Sequence, residues 1–164
     1  MTEDARVQLD ELIDKFDYAM LVTRSLEGSV RARPMVIAGH KKGGTLYFAT
    51  RIDNGKLGEI INDPNVGITL QGGRRFVSIS GRAEVESDPD VVRSLWTMAM
   101  KVWFPDGVED PHLIVIKVEP DYAEFWDEAG FNYPVVLWEA GKALLKGETP
   151  SEDPTGSHAK ISEK

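Results

Sequence analysis

The spacing of apolar residues changes several times along the chain and divides it into helices and strands. Residues 4–17 carry apolar side chains at helical spacing, which predicts an amphipathic helix. The next stretches are rich in β-branched and aromatic residues, which predicts strands over 18–24, 29–39 and 45–50. Because the links between them are short and contain glycine, antiparallel hairpins are favoured over parallel crossovers.

The same patterns predict two more helices and the remaining strands. Asp53 or Asn54 is suited to cap a short helix that stops at Asp63-Pro64, and a third helix begins at Asp88-Pro89 and reaches about residue 101. Further strands are predicted over 65–71, 75–86, 113–119, 122–126 and 134–138. Six or seven strands in hairpins, with helices packed outside, predict a mainly β domain closed into a small antiparallel barrel, since closure removes exposed edges.

Length and composition predict one domain with a tail. A chain of 164 residues with 41% hydrophobic residues can bury one core. Residues 148–164 have almost no apolar content, which predicts a mobile C-terminal tail after a domain that spans 1–147.

The charge distribution narrows the choice of partners. A formal net charge of -8 disfavours nucleic acid and anionic membranes. Residues 1–82 nevertheless hold 12 Lys and Arg against 10 Asp and Glu, whereas residues 83–164 hold 7 against 17, so an anion site is expected in the first half. The chain has no cysteine, the N-terminus does not resemble a signal peptide, and no apolar run approaches the roughly 20 residues of a membrane span. These features predict a cytoplasmic protein.

The sequence FATRIDNGK, residues 48–56, places polar and cationic residues where a predicted strand gives way to a helix. Free amides in a first helical turn, with Lys56 beside them, suit a phosphate, and Arg33 in the neighbouring strand can add a forked contact. In the alternative interpretation, Thr50 and Asn54 cap the helix and Lys56 is solvated. The pattern alone leaves both interpretations open.

Other candidate chemistry is weaker. The three histidines lack the spacing of metal ligands, which predicts no metal site, and neither a dinucleotide fingerprint nor a Walker sequence is present. Trp96 is expected in the core. Trp103 stands in a proline-bounded loop and Trp126 ends a strand, so each is suited either to cover a flat ring system or to pack at an interface.

Taken in order, these segments resemble the general stress protein 26 family, a branch of the pyridoxamine 5'-phosphate oxidase-like, FMN-binding split barrels. The resemblance rests on RARPMVI (31–37), on the Thr50-to-Lys56 junction, on Asp63-Pro64 and on the WFPDG loop (103–107), and it covers residues 5–147. It implies a six-stranded antiparallel split β-barrel with Greek-key connections. It also implies a homodimer with an FMN site in each groove between the subunits.

The resemblance implies a set of cofactor-binding residues. Arg33, Pro34, Met35 and Val36 line the flavin along one strand, and Ala49 and Thr50 follow at the end of the next strand. The phosphate is surrounded by Asn54, Gly55 and Lys56. Two tryptophans, Trp103 and Trp126, are candidates to reach the flavin from the partner subunit.

The implied function is that of an FMN-binding general stress protein, as a flavin-dependent oxidoreductase whose substrate and catalytic residues the sequence does not name. Pyridoxamine 5'-phosphate oxidases hold their substrate with an Arg-x-His pair near the C-terminus, and this chain has no arginine after Arg93, so that activity is not expected. Two alternatives stay open, a non-catalytic module that sequesters flavin and a deazaflavin-dependent reductase. Haem is a further family possibility, but His40 and His112 have no evident axial setting.

Overall fold

The predicted strands form one antiparallel sheet that closes on itself. The computed structural model describes residues 3–53, 55–127 and 158–162, with side chains described for 5–53 and 55–127. The helices are α1 (Glu3–Ile13), α2 (Lys56–Asn62) and α3 (Pro89–Leu95). The strands are β1 (Tyr18–Arg24), β2 (Val30–Lys41), β3 (Thr45–Arg51), β4 (Asn65–Gly72), β5 (Arg75–Glu86), β6 (Leu113–Asp127) and β7 (His158–Ser162).

Closure of the sheet gives the six-stranded barrel that the sequence predicted. The strands are ordered β3-β2-β1-β4-β5-β6, and every pairing is antiparallel. Pairing of β3 with β6, from Leu46 opposite Val118 to Arg51 opposite Leu113, closes the ring. The chain leaves β3 through α2 and enters β4 on the other side of β1 and β2, a Greek-key connection.

Alternation along the strands fills the barrel. Inward-facing residues of five strands are almost completely buried, and α1 adds its apolar side to the same cluster. The central side chains are Leu21, Phe48, Ile68, Ile79 and Ile116, and those of α1 are Leu9, Leu12 and Ile13.

Three predicted boundaries were wrong. The first helix ends at Ile13 rather than at residue 17. The third helix, α3, ends at Leu95 rather than near residue 101, and Met98–Val102 forms a short 3-10 helix after it. Trp96 follows the end of α3 and is half-buried rather than in the core. The predicted strands 113–119 and 122–126 are one strand, β6. Pro120 lies at an irregularity of the β5–β6 ladder, where a missing N–H is tolerated, so it does not end the strand. The predicted strand 134–138 lies outside the described residues.

The C-terminal segment differs in part from the mobile tail that its composition predicted. Within 148–164, residues His158–Ser162 form β7 and pair with β6 from Tyr122 to Trp126. One edge of β6 pairs with β5, and β3 pairs with the first half of the other edge. The second half of that other edge is left for β7. Strand addition to such an edge uses backbone hydrogen bonds and needs few apolar side chains. The boundary at residue 147 stays a prediction.

Candidate functional site

An apolar cleft of about 480 Å³ lies on the outer side of β2 and β3. We call it the apolar cleft. Its walls come from Pro34–Ala38 of β2, Ala49–Arg51 of β3 and the segment 97–104, with Tyr18 at one edge. Six of the residues selected from the sequence line it: Pro34, Met35, Val36, Ala49, Thr50 and Trp103.

The segment after α3 forms the outer wall of the apolar cleft. Phe104 is buried beneath it, whereas the Trp103 side chain is 60% exposed beside the cleft. A guanidinium nitrogen of Arg51, Nη1, donates to the backbone carbonyl of Trp103 at 3.4 Å, and the Asp53 carboxylate holds the same guanidinium from the other side. Trp103 is therefore held next to the end of β3.

A buried lysine binds Thr50, one of the residues that line the apolar cleft. Lys56 is only 4% exposed, and its Nζ atom donates a 2.7 Å hydrogen bond to Oγ1 of Thr50. Burial lowers the pKa of Lys56, and the positive charge of Arg33 lowers it further. Lys56 is thus not the solvated surface lysine of the alternative interpretation. Arg33 is close enough for its positive charge to act on the Lys56 ammonium.

Arg33 belongs to a network that the sequence did not reveal. Its Nη1 and Nη2 atoms donate to the two carboxylate oxygens of Glu59 at 2.8 and 2.9 Å, and Nη1 also donates to Oγ1 of Thr23. Thr23 donates to Glu59 at 2.6 Å, and Arg31 donates to the same carboxylate at 2.9 Å. Hydrogen bonds from Arg33 and Thr23 lower the pKa of Glu59 to about 2, so this carboxylate is ionised at neutral pH.

A second cleft, of about 240 Å³, opens beside this network between the β1–β2 hairpin and α2. We call it the arginine cleft. Its lining residues are Ser25, Leu26, Glu27, Arg31, Arg33, Gly55, Gly58 and Glu59. Thr50 lines the apolar cleft, and Arg33 lines the arginine cleft. Lys56 donates a hydrogen bond to Thr50, and the charge of Arg33 lowers its pKa, so Lys56 links the two clefts. Three cations, Arg31, Arg33 and Lys56, stand against two carboxylates, Glu27 and Glu59, so the formal charge here is +1.

The remaining sequence predictions have mixed outcomes. Asp53 does not cap α2, because its carboxylate is bound to Arg51 and Gly55 holds the N-cap position. Asn54 lies outside the described residues. Trp126 pairs with Phe76 on β5 and is not among the residues that line the apolar cleft, so its proposed contact depends on a second subunit.

The described residues contain neither a metal-binding cluster nor a membrane-spanning helix. No group of three or more His, Cys, Asp or Glu side chains there could hold a metal ion. No helix in the described part of the chain is long and apolar enough to cross a membrane.

Simple spacing rules would have pointed to the missed residues. Arg31 and Arg33 are two positions apart on one strand and therefore share a face, and Thr23 lies directly opposite Arg31 in the ladder. Glu59 follows Lys56 by three positions on α2, which places both side chains on one side of the helix. The sequence pattern did not reveal that α2 packs against this end of β1 and β2.

Comparisons with known proteins agree with this arrangement of segments. A family model described as "Pyridoxamine 5'-phosphate oxidase like" matches residues 4–151. General stress protein 26 of Bacillus subtilis (strain 168) is 29% identical over 140 residues, which cover 82% of this chain and 96% of that protein.

Two solved structures are similar in fold. General stress protein 26 from Bacillus anthracis str. Sterne superposes with a TM-score of 0.66 at 24% identity, covering 74% of this chain and 92% of that one. A general stress FMN/FAD binding protein from Xanthomonas citri gives a TM-score of 0.66 at 26% identity, covering 76% of this chain and 89% of that one. The resemblance that the sequence suggested is therefore confirmed.

Proposed function

The chain belongs to the pyridoxamine 5'-phosphate oxidase-like family, and from that premise we propose that it is an FMN-binding oxidoreductase of the general stress type. One observation carries the proposal. A mainly apolar cleft, large enough for a ring system, includes Thr50, which binds the buried Lys56, and the positive charge of Arg33 in the arginine cleft acts on the same lysine. With Arg31, Glu27 and Glu59 counted, the formal charge of this region is +1. FMN combines a flat, largely apolar ring with a phosphate dianion. The similar protein from Xanthomonas citri, described as FMN/FAD binding, supports the same assignment.

The proposal gives the sequence-selected residues distinct roles. Pro34, Met35 and Val36 lie along one side of the ring, and Ala49 and Thr50 lie at its phosphate-facing end. A second group surrounds the phosphate and consists of Arg33, Asn54, Gly55 and Lys56. Trp103 and Trp126 cover the ring. Because Lys56 is buried, its ammonium acts on the phosphate in a low dielectric, where a charged contact is strong.

Bound flavin would supply the redox chemistry, with the protein providing binding, orientation and electrostatics. The described lining of the apolar cleft contains no His, Asp or Glu, and its only ionisable side chains are Tyr18 and Arg51. The described lining therefore offers no carboxylate or imidazole to the ring. This composition also keeps open the non-catalytic alternative, in which the protein binds flavin without turning over a donor.

We further propose that the site is completed by a second copy of the chain. Three residues that line the apolar cleft, Tyr18, Val36 and Trp103, expose apolar side chains, and so does Val102, the neighbour of Trp103 in the chain. Such a patch is typical of an interface. Sedimentation equilibrium should give twice the chain mass, and Val102→Asp should shift it toward the monomer while Val7→Asp on α1 should not. A monomeric wild-type protein would refute this part of the proposal.

The cofactor assignment is tested with purified protein. Heating releases any bound chromophore, and mass spectrometry identifies it as FMN, FAD or a deazaflavin. Titration with FMN should quench flavin fluorescence at micromolar or lower concentration. Reduced nicotinamides are then added under air, because steady oxidation separates an oxidoreductase from a sequestering module. Absence of flavin binding would refute the proposal. A cytoplasmic location stays a prediction, tested by fractionation of the native cells.

A further inference from the structure

The two arginines of the arginine cleft differ in how fully they are engaged. A guanidinium offers five N–H donors. Arg33 directs both terminal nitrogens at Glu59 and Thr23, and its side chain is 26% exposed. The contact described for Arg31 uses Nη1 alone, and half of its side chain is exposed along the cleft. Within the described part of the chain, most of the N–H donors of Arg31 are thus open to a ligand.

Glu59 fixes the position from which Arg31 can act. The carboxylate is 5% exposed and accepts from Thr23, Arg31 and Arg33, so packing and hydrogen bonds hold it in place. Through its single contact with Oε1, it keeps the Arg31 guanidinium at the wall of the cleft rather than extended into solvent. An arginine pre-oriented in this way loses little conformational entropy when it binds an anion.

We propose that Arg31, which the family resemblance does not select, binds the phosphate of the flavin in the arginine cleft, and that Glu59 is its positioning residue. The inference rests on the proposed function. The ligand class is a phosphomonoester, whose charge of about −1.5 to −2 at pH 7 is opposite in sign to the formal +1 of this region. Arg33 supplies charge while its terminal nitrogens stay bound to Glu59 and Thr23, and Arg31 supplies the pre-oriented guanidinium that contacts the phosphate.

The test compares FMN with riboflavin, which has the same ring but no phosphate. Both are titrated into the wild-type full chain and into Arg31→Gln, with binding followed by flavin fluorescence. Loss of one charge-assisted contact should weaken FMN binding about tenfold to a hundredfold. The affinity for riboflavin should stay within about twofold, because the ring contacts are untouched. The melting temperature should also change little, because Arg31 is half exposed.

Three further variants keep the result interpretable. Arg24→Gln removes the same charge from the neighbouring strand, where Arg24 is exposed and lies outside the cleft lining, and should weaken FMN binding less than about threefold by screened electrostatics. Arg31→Lys keeps the charge but loses the fork and should fall between wild type and Arg31→Gln. Glu59→Asp keeps the carboxylate but shortens its reach, and should reduce the preference for FMN over riboflavin.

The outcomes separate this inference from the proposed function. If wild type binds neither FMN nor riboflavin, the proposed function fails and this inference fails with it. If wild type prefers FMN and Arg31→Gln keeps the full preference, Arg31 does not bind the phosphate and only this inference is wrong. Equal weakening of both ligands by Arg31→Gln would also overturn it, since that result indicates a distorted cleft rather than a lost phosphate contact.

Discussion

Lys56 and Thr50 are joined by a 2.7 Å hydrogen bond from Nζ to Oγ1, which ties the start of α2 to the end of β3. Both side chains are buried, and Thr50 also lines the apolar cleft. The ammonium has therefore lost hydration, and one hydroxyl replaces only part of it. A nearby anion would compensate for this loss, and in the proposed function the phosphate is that anion.

We predict that Lys56→Met and Arg33→Ala each weaken FMN binding by about 1 to 3 kcal/mol, the scale of a hydrogen bond to a charged group. Fluorescence titration gives both dissociation constants. Lys15→Met, which removes an exposed cation near the end of α1, serves as the control and should leave the affinity close to that of wild type. Unchanged affinity in both Lys56→Met and Arg33→Ala would contradict the proposed phosphate site.

Glu59 should make stability depend on acid pH. Its folded-state pKa is about 2 against an ordinary value of 4.5, so its contribution is complete above pH 4.5 and is lost as the pH falls toward 2. The shift corresponds to a contribution to the free energy of unfolding of at most about 3 kcal/mol. Solvent screening of the partly exposed arginines reduces this contribution. Urea unfolding between pH 2.5 and 7 measures it.

Glu59→Gln is the matched variant for this acid dependence. It should be less stable than wild type at pH 7 and should approach wild type as the pH falls, because the protonated wild-type side chain also lacks the charge. Glu27→Gln, at an exposed position of the neighbouring hairpin, should follow the wild-type curve. Parallel curves for wild type and Glu59→Gln would show that the ion pairs with Arg31 and Arg33 add nothing to stability.

Local patterns were sufficient for most of the fold. The alternation in β5 and the glycine-bearing hairpins predicted the strands, because burial on one face imposes period two wherever a strand forms. Boundaries were less accurate because tertiary contacts decide them. Pro120 suggested a strand end, yet the β5–β6 ladder is irregular there and accommodates it. Likewise, β7 depends on an edge of β6 that no local pattern displays.

The candidate site was predicted only in part, for a related reason. Lys56 and Arg33 were selected by their types and order, and the structure places them at one junction. Glu59 is separated from Thr23 and Arg31 by 36 and 28 positions, so their network exists only after α2 packs on β1 and β2. A carboxylate among cations is also unexpected in the proposed anion site, although its hydrogen bonds can hold the arginines in place.

FMN binding should weaken at alkaline pH. The pKa of Lys56 is lowered, so the ammonium loses its proton at a lower pH than an exposed lysine would, and the attraction for phosphate falls as the pH rises through that value. Bound phosphate favours the charged form, so binding should take up protons in this range. Dissociation constants between pH 7 and 10.5 should therefore rise in wild type. Lys56→Arg, whose guanidinium stays charged, should show a flatter profile if it folds normally.

The close contact between β5 and β6 predicts unequal effects for two glycine substitutions. A Cβ at Gly81 would lie 2.1 Å from the backbone carbonyl oxygen of Glu119, so Gly81→Ala requires a shift of the strand itself. A Cβ at Gly39 would lie 2.5 Å from Cδ2 of Leu95, the end of a flexible side chain that can rotate away. We expect losses in the free energy of unfolding of about 3 kcal/mol for Gly81→Ala and about 1 kcal/mol for Gly39→Ala, within the range for overpacking.

Urea unfolding at pH 7 distinguishes these two cases, and unchanged slopes would show that both variants unfold from a compact state. Because Leu95 is two residues before the segment that walls the apolar cleft, Gly39→Ala should also alter flavin affinity, whereas Gly81→Ala acts through stability. A Gly81→Ala protein as stable as wild type would mean that β5 and β6 do not approach this closely, and the assignment of Leu113–Asp127 to one continuous strand would then be wrong.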